Sequence, residues 1–159
     1  MKTVSFARWE LECDPDATRD VFSRVPSGAA EACGCAPCRN FAAARKHVYP
    51  VDAIRLLDLL GIAHDREAEV YRTHRIEPGR HHYGGWFHFL GKIVGGSDAL
   101  KQIGANLWTF DLVAVGADFK LGFSDRAELL EDPFKGHQVV QLEFEATAPW
   151  LLDEAEPEC

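Results

Sequence analysis

Thr73-His74-Arg75-Ile76-Glu77-Pro78-Gly79-Arg80-His81-His82-Tyr83-Gly84-Gly85-Trp86-Phe87-His88-Phe89 is the stretch whose reading decides the fold. Pro78-Gly79 forms the centre of a four-residue turn, because proline presets φ at the second position and glycine supplies a positive φ at the third. The turn predicts a hairpin with strands over residues 67–76 and 81–94. Side chains alternate between the two faces of a strand, so the turn also predicts a register. With Glu77 and Arg80 flanking it, Ile76 pairs with His81. One face then carries Val70, Arg72, His74 and Ile76 with Tyr83, Phe87 and Phe89. The other carries Glu69, Tyr71, Thr73 and Arg75 with His82, Gly84, Trp86 and His88, placing Glu69 opposite His88 and Tyr71 opposite Trp86.

Downstream, residues 107–115 and 118–124 are apolar alternating runs, and Gly116-Ala117 suits a two-residue hairpin turn between them. Residues 138–146 alternate cleanly, with Val140, Leu142 and Phe144 inward and Gln141, Glu143 and Glu145 outward. Residues 97–103 read as a short helix capped by Ser97. Upstream, residues 3–12 suit one strand bearing Phe6, Trp9 and Leu11. Residues 14–32 read as loop around Asp14-Pro15-Asp16 and Pro26-Ser27-Gly28, with Val21-Phe22 a short anchored turn. Residues 39–47 favour a helix. Pro50 opens a second one, with an apolar stripe of Ile54, Leu56, Leu57 and Leu60, and Gly61 closes it. The expectation is a single α+β domain over residues 1–152, with helices concentrated in the first half and a mainly antiparallel sheet in the second. Residues 153–159 are expected to form an acidic, disordered tail.

Hydrophobic residues make up 47% and charged residues 26% of the 159, the balance of a soluble globular domain. The net charge of −8 repels nucleic acid and anionic membrane surfaces, so neither is an expected partner. A basic protein or a cation is. No apolar run approaches the roughly 20 residues of a membrane-spanning helix. Residues 1–8 lack the apolar core of a signal peptide, and the cytoplasm is the expected compartment.

The chain has five cysteines, three of them within Cys33-Gly34-Cys35-Ala36-Pro37-Cys38. In a reducing compartment such clustering points to metal or thiol chemistry rather than to structural disulfides. Cys35-Ala36-Pro37-Cys38 is a CxxC knuckle that lets two sulfurs reach one tetrahedral zinc, and Cys33 adds a third donor. Cys13, at the end of the first strand, is the first candidate for the fourth; His47 and the later histidines are others. The same four residues resemble the redox motif of thioredoxin-like proteins, with Arg39 placed to hold a thiolate. Those folds put the motif directly after a buried strand, and residues 26–32 are not one. A third alternative is packing of small residues in a tight loop.

The hairpin face with Glu69, His82, Trp86 and His88 is a second candidate site. Gly84 leaves a gap beside Trp86, and Glu69 with His88 suits an acid–base pair. The bland alternative is a packed sheet face with a histidine edge. No P-loop, dinucleotide fingerprint, nucleophile elbow or HExxH helix is present.

Cys33 to Phe41, Val48-Tyr49-Pro50, Leu59-Leu60-Gly61-Ile62 and Tyr83 to Phe89 together resemble an uncharacterised family of small bacterial proteins, over roughly residues 33–90. The resemblance implies a bacterial, cytoplasmic protein and carries no activity. The leading expectation is a non-enzymatic, zinc-stabilised binding or regulatory domain, in one version an immunity-type or inhibitor protein with a basic partner. The alternatives are an enzyme or small-ligand binder using Glu69, His82, Trp86 and His88, and a thiol oxidoreductase using Cys35 and Cys38.

Overall fold

The computed structural model describes residues 1–159 and confirms the α+β class. In chain order its elements are β1 (Lys2–Phe6), β2 (Trp9–Cys13), α1 (Pro15–Phe22), α2 (Ala29–Cys33), α3 (Ala36–Ala44) running into a 3₁₀ turn (Arg45–His47), α4 (Val51–Leu60), β3 (Glu69–Glu77), β4 (Arg80–Gly95), β5 (Leu100–Gly104), β6 (Leu107–Phe110), β7 (Val113–Ala114), β8 (Phe119–Ser124), a 3₁₀ turn (Asp132–Phe134) and β9 (Val139–Pro149). No helix is long and apolar enough to cross a membrane.

The sheet is built on β4. Strands run β1-β2-β4-β9-β8-β7, with β3 also on β4, and every pairing is antiparallel. Leu90 O accepts from Asp14 N, whereas Gly91 N donates to Gln138 O. These two groups belong to one peptide and point to opposite edges, so β2 and β9 flank β4, and β3 shares the edge of β2. Between β3 and β2 that edge is free, and the start of α1 satisfies it: Leu90 N donates to Thr18 Oγ1 at 3.1 Å. The β4–β9 register runs unbroken from Arg80↔Pro149 to Leu90↔Val139. It places Tyr83, Phe87 and Phe89 on one face with Val140, Leu142 and Phe144, and the helices cover that face with Phe41, Ala53, Leu57 and Leu60; all are essentially buried.

The predicted hairpin forms, with Gly79 at φ 82°. Its register differs. Arg75 pairs with His81 and His74 with His82, because bulges fall between Arg75 and Glu77 and between Arg72 and His74. Glu69 therefore lies opposite Trp86, not His88, and Tyr71 lies opposite Gly84. Two bulges restore the expected faces from Arg72 backwards, but Arg75 now pairs with an inward histidine. Perfect alternation from the turn does not anticipate them.

Other local readings also change. Residues 3–12 are two strands joined at Ala7-Arg8, with Ala7 at φ 49°. Residues 14–32, read as loop, contain α1 and α2. The Asp14-Pro15 pair is a helix start: the Asp14 carboxylate accepts from Ala17 N at 3.0 Å and Pro15 opens the first turn. Replacing Asp14 with Ala should cost about 1 kcal/mol in urea denaturation. Residues 97–103 are not a helix. Buried Ala99 donates to Phe123 O and accepts from Asp111 N, which commits its backbone to the sheet, and β5 then pairs with β6. Residues 107–115 divide into β6 and β7. The turn after them is one residue longer than expected, closed by Val115 N donating to Phe119 O.

Candidate metal centre

Three local rules bring the cysteines together. Gly34, at φ 74°, ends α2 immediately after Cys33 and turns the chain. Cys35 is the extended N-cap residue of α3, and Pro37 sits in that helix's first turn. Cys38 follows one turn into α3, on its buried side. The result is a group of three sulfurs, all within 4.8 Å of one another, with Cys33 Sγ and Cys35 Sγ 3.3 Å apart. All five cysteines are free thiols. A tetrahedral zinc with Zn–S of about 2.3 Å sets its sulfurs roughly 3.8 Å apart, which this spacing can accommodate. These three residues can hold a metal ion.

The surroundings act in opposite directions on Cys33 and Cys38. Cys35 and Cys38 lie at the N-terminal, positive end of the α3 dipole. Hydrogen bonds from Cys35, backbone first and thiol second, lower the Cys33 thiol. Burial raises the Cys38 thiol, and its hydrogen bonds to Cys35 and Cys33 add to that. The Arg39 Nε donates to Gly34 O at 3.0 Å, and its guanidinium pairs with Glu154 at 2.5 Å. Deeper in the fold, Tyr83 Oη donates to Pro37 O, and Asn40 Nδ2 donates to Pro149 O while its Oδ1 accepts from Leu151 N. The helix that carries two of the cysteines is thus tied to β4 and β9 through Tyr83 and Asn40.

Cys13 is not part of the group. It is buried at the end of β2, with Sγ 3.6 Å from Lys2 O. Its exclusion has a simple cause: alternation along β2 turns it into the core between β1 and β4. His47 is exposed at the far end of α3, nine residues or roughly 14 Å from Cys38 along the helix.

The second candidate face is assembled differently from its expected pairing. His88 is fully buried, but its partner is Glu131, with Nδ1···Oε2 at 2.8 Å, and Gln141 Oε1 lies 3.2 Å from Nε2. Glu69 instead accepts from its neighbour Val70 N. Trp86 Nε1 donates to Glu128 O. His82 lies against Thr73, stacks on His74 at 5.1 Å and faces Glu145 at 3.6 Å. The gap at Gly84 is occupied: a Cβ there would lie 2.4 Å from Tyr71 Oη. Residues 125–138 lie over Trp86 and His88, and Phe134 packs on the His88 ring. Beneath them Gln141 Nε2 donates to Glu143 Oε2 at 2.9 Å. Burial pushes the Glu143 carboxyl up to about 7. Glu131 and Glu143 were not legible as members of this group, since the loop that covers the face carries no local signal for where it folds.

No family model, curated protein or solved structure matches the chain.

Proposed function

We propose that this chain is a non-enzymatic binding or regulatory domain whose α2–α3 junction is fastened by zinc. The observation that carries the proposal is the convergence of Cys33, Cys35 and Cys38 within 4.8 Å as free thiols at a helix start. Zinc is the ion of choice because it takes thiolate donors without redox chemistry and its structural sites supply folding energy. The net charge of −8 supports a basic protein as partner, as in an immunity-type or inhibitor protein. The catalytic alternative draws less support, because the His88 ring is engaged by Glu131 and Gln141 inside the fold and Tyr71 fills the space at Gly84. Thiol exchange draws less support because α2, rather than a strand, leads into the motif.

The test is metal content of protein purified without chelator or nickel resin. About one zinc per chain is expected, lost in Cys35→Ser and Cys38→Ser, with a lower melting temperature in both. Metal-free protein that melts cooperatively at the same temperature with and without added zinc would refute the proposal.

A further inference from the structure

Three thiolates leave a tetrahedral ion one donor short. The fourth is sought among groups that the fold brings to the mouth of the cluster. Cys13 is committed to the core, and His47 is at the wrong end of α3. One cysteine remains, Cys159, and it is exposed.

The segment that carries Cys159 lies back along the domain by specific contacts. Trp150 packs at a tilt against His81, with ring centroids 5.2 Å apart, and its Nε1 donates to Glu154 O. Glu154 pairs with Arg39, whose Nε donates to Gly34 O between Cys33 and Cys35. Glu156 accepts from Gly79 N at 3.0 Å and meets His81 Nε2 at 2.8 Å and Arg75 at 3.3 Å. The guanidinium of Arg72 donates to Cys159 O. Arg72 pairs on the sheet with Tyr83, whose hydroxyl donates to Pro37 O inside the CxxC turn. The Glu154 end of the stretch therefore touches a residue bonded to the backbone of the cysteine loop, and the Cys159 end touches Arg72, the strand partner of another such residue, Tyr83.

We infer that Cys159 is the fourth ligand of the metal held by Cys33, Cys35 and Cys38, so that the ion clasps the 150–159 segment onto the α2–α3 junction. The inference rests on the reading of those three cysteines as metal ligands. The Cys159 side chain is exposed and stands outside the three-sulfur group. Pro157 and Glu158 make no side-chain hydrogen bond or ion pair. Three residues beyond the Glu156 anchor span up to roughly 10 Å, so a swing of this short piece changes the position of the thiol without unseating Glu154 or Glu156. Charge also fits. Four thiolates on a divalent ion leave a net charge of about −2, and Arg72 is a cation already placed beside the segment, while Arg39 beside the loop shares its charge with Glu154.

The experiment is a cobalt(II) titration of the full chain under reducing conditions, comparing wild type, Cys159→Ser, Cys13→Ser and Cys35→Ser. Cys159 is exposed on a segment without helix or strand, so its replacement leaves the fold intact. Cobalt reports ligand type directly through its sulfur-to-metal charge-transfer band. Wild type and Cys13→Ser should give the same tetrahedral thiolate spectrum. Cys159→Ser should lose about a quarter of the charge-transfer intensity and bind cobalt about tenfold or more weakly. Alkylation with iodoacetamide supplies a second reading: metal loading should protect Cys159 in wild type. A Cys159→Ser spectrum and affinity equal to wild type, with Cys159 alkylated at the same rate in loaded and metal-free protein, would overturn the fourth-ligand inference and leave the three-cysteine site standing. A wild-type chain that binds no cobalt would overturn both.

Discussion

Replacing Arg45 with alanine should cost about 3–5 kcal/mol of folding free energy, because it strands a buried carboxylate. The Glu67 side chain is fully buried and accepts two hydrogen bonds from the Arg45 guanidinium, at 2.8 and 3.0 Å, and one from Tyr49 Oη at 2.7 Å. Glu31 pairs with the same guanidinium at 2.5 Å. Burial raises the Glu67 carboxyl, and its bonds to Arg45 and Tyr49 pull it back. Burial likewise works against the charge on Arg45, but Glu67 and Glu31 outweigh it and hold the guanidinium above its ordinary range. Neither member is comfortable without the other. Urea denaturation near neutral pH should show the loss in Arg45→Ala, and Arg45→Ala with Glu67→Gln should recover a large part of it, since the second change removes the stranded charge. A single variant that loses under about 1 kcal/mol would mean that water reaches Glu67 and the network is a surface feature.

Glu143→Gln should stabilise the protein by about 2–3 kcal/mol at pH 8 and change it little at pH 4. Burial pushes this carboxyl up to about 7 from an ordinary 4.5, with the nearby charges of Glu128 and Glu145 adding to the rise, against hydrogen bonds from Gln141 and Tyr71. A raised carboxyl means that the fold prefers the protonated form. Below about pH 4.5 both folded and unfolded chains hold the proton and the group costs nothing. As pH rises from there to about 7 the unfolded chain gives up its proton first, and stability falls; above about 7 the penalty is constant. Glutamine keeps the acceptor for Gln141 Nε2 and carries no charge at any pH. Stability curves of the two proteins between pH 4 and pH 8 should therefore converge at the acid end and separate towards the alkaline end. Parallel curves would show that Glu143 is solvated.

The residues of the candidate metal site were legible in the chain because their geometry is local. Cys33, Cys35 and Cys38 span six residues, and Gly34 and Pro37 dictate the helix end and helix start between them. The turn at Pro78-Gly79, the stripe and glycine cap of α4, and the alternation of β9 were readable for the same reason. Asp14-Pro15 states the start of α1, yet a proline beside two aspartates equally describes a loop, so the local sequence does not distinguish the two. The pairing of Glu69 with His88 failed because bulges near Arg72 and Arg75 move the register by two residues, and a bulge has no reliable mark in a single sequence.

By itself, then, the amino-acid sequence determined the α+β class, the cysteine triad, the central hairpin and the inward set of Val140, Leu142 and Phe144, all consequences of period, turn chemistry and spacing over a few residues. Only the tertiary structure decided which groups meet across long separations. It turned Cys13 into the core, gave His88 to Glu131 and Arg45 to Glu67, laid Tyr71 over Gly84, and brought the 150–159 segment back to Arg39 and Arg72. Those choices depend on packing one face of a bulged sheet against helices and covering the other with a loop. Side chains tens of residues apart become neighbours there through the sum of many burial and hydrogen-bond energies, none of which any short stretch of sequence contains.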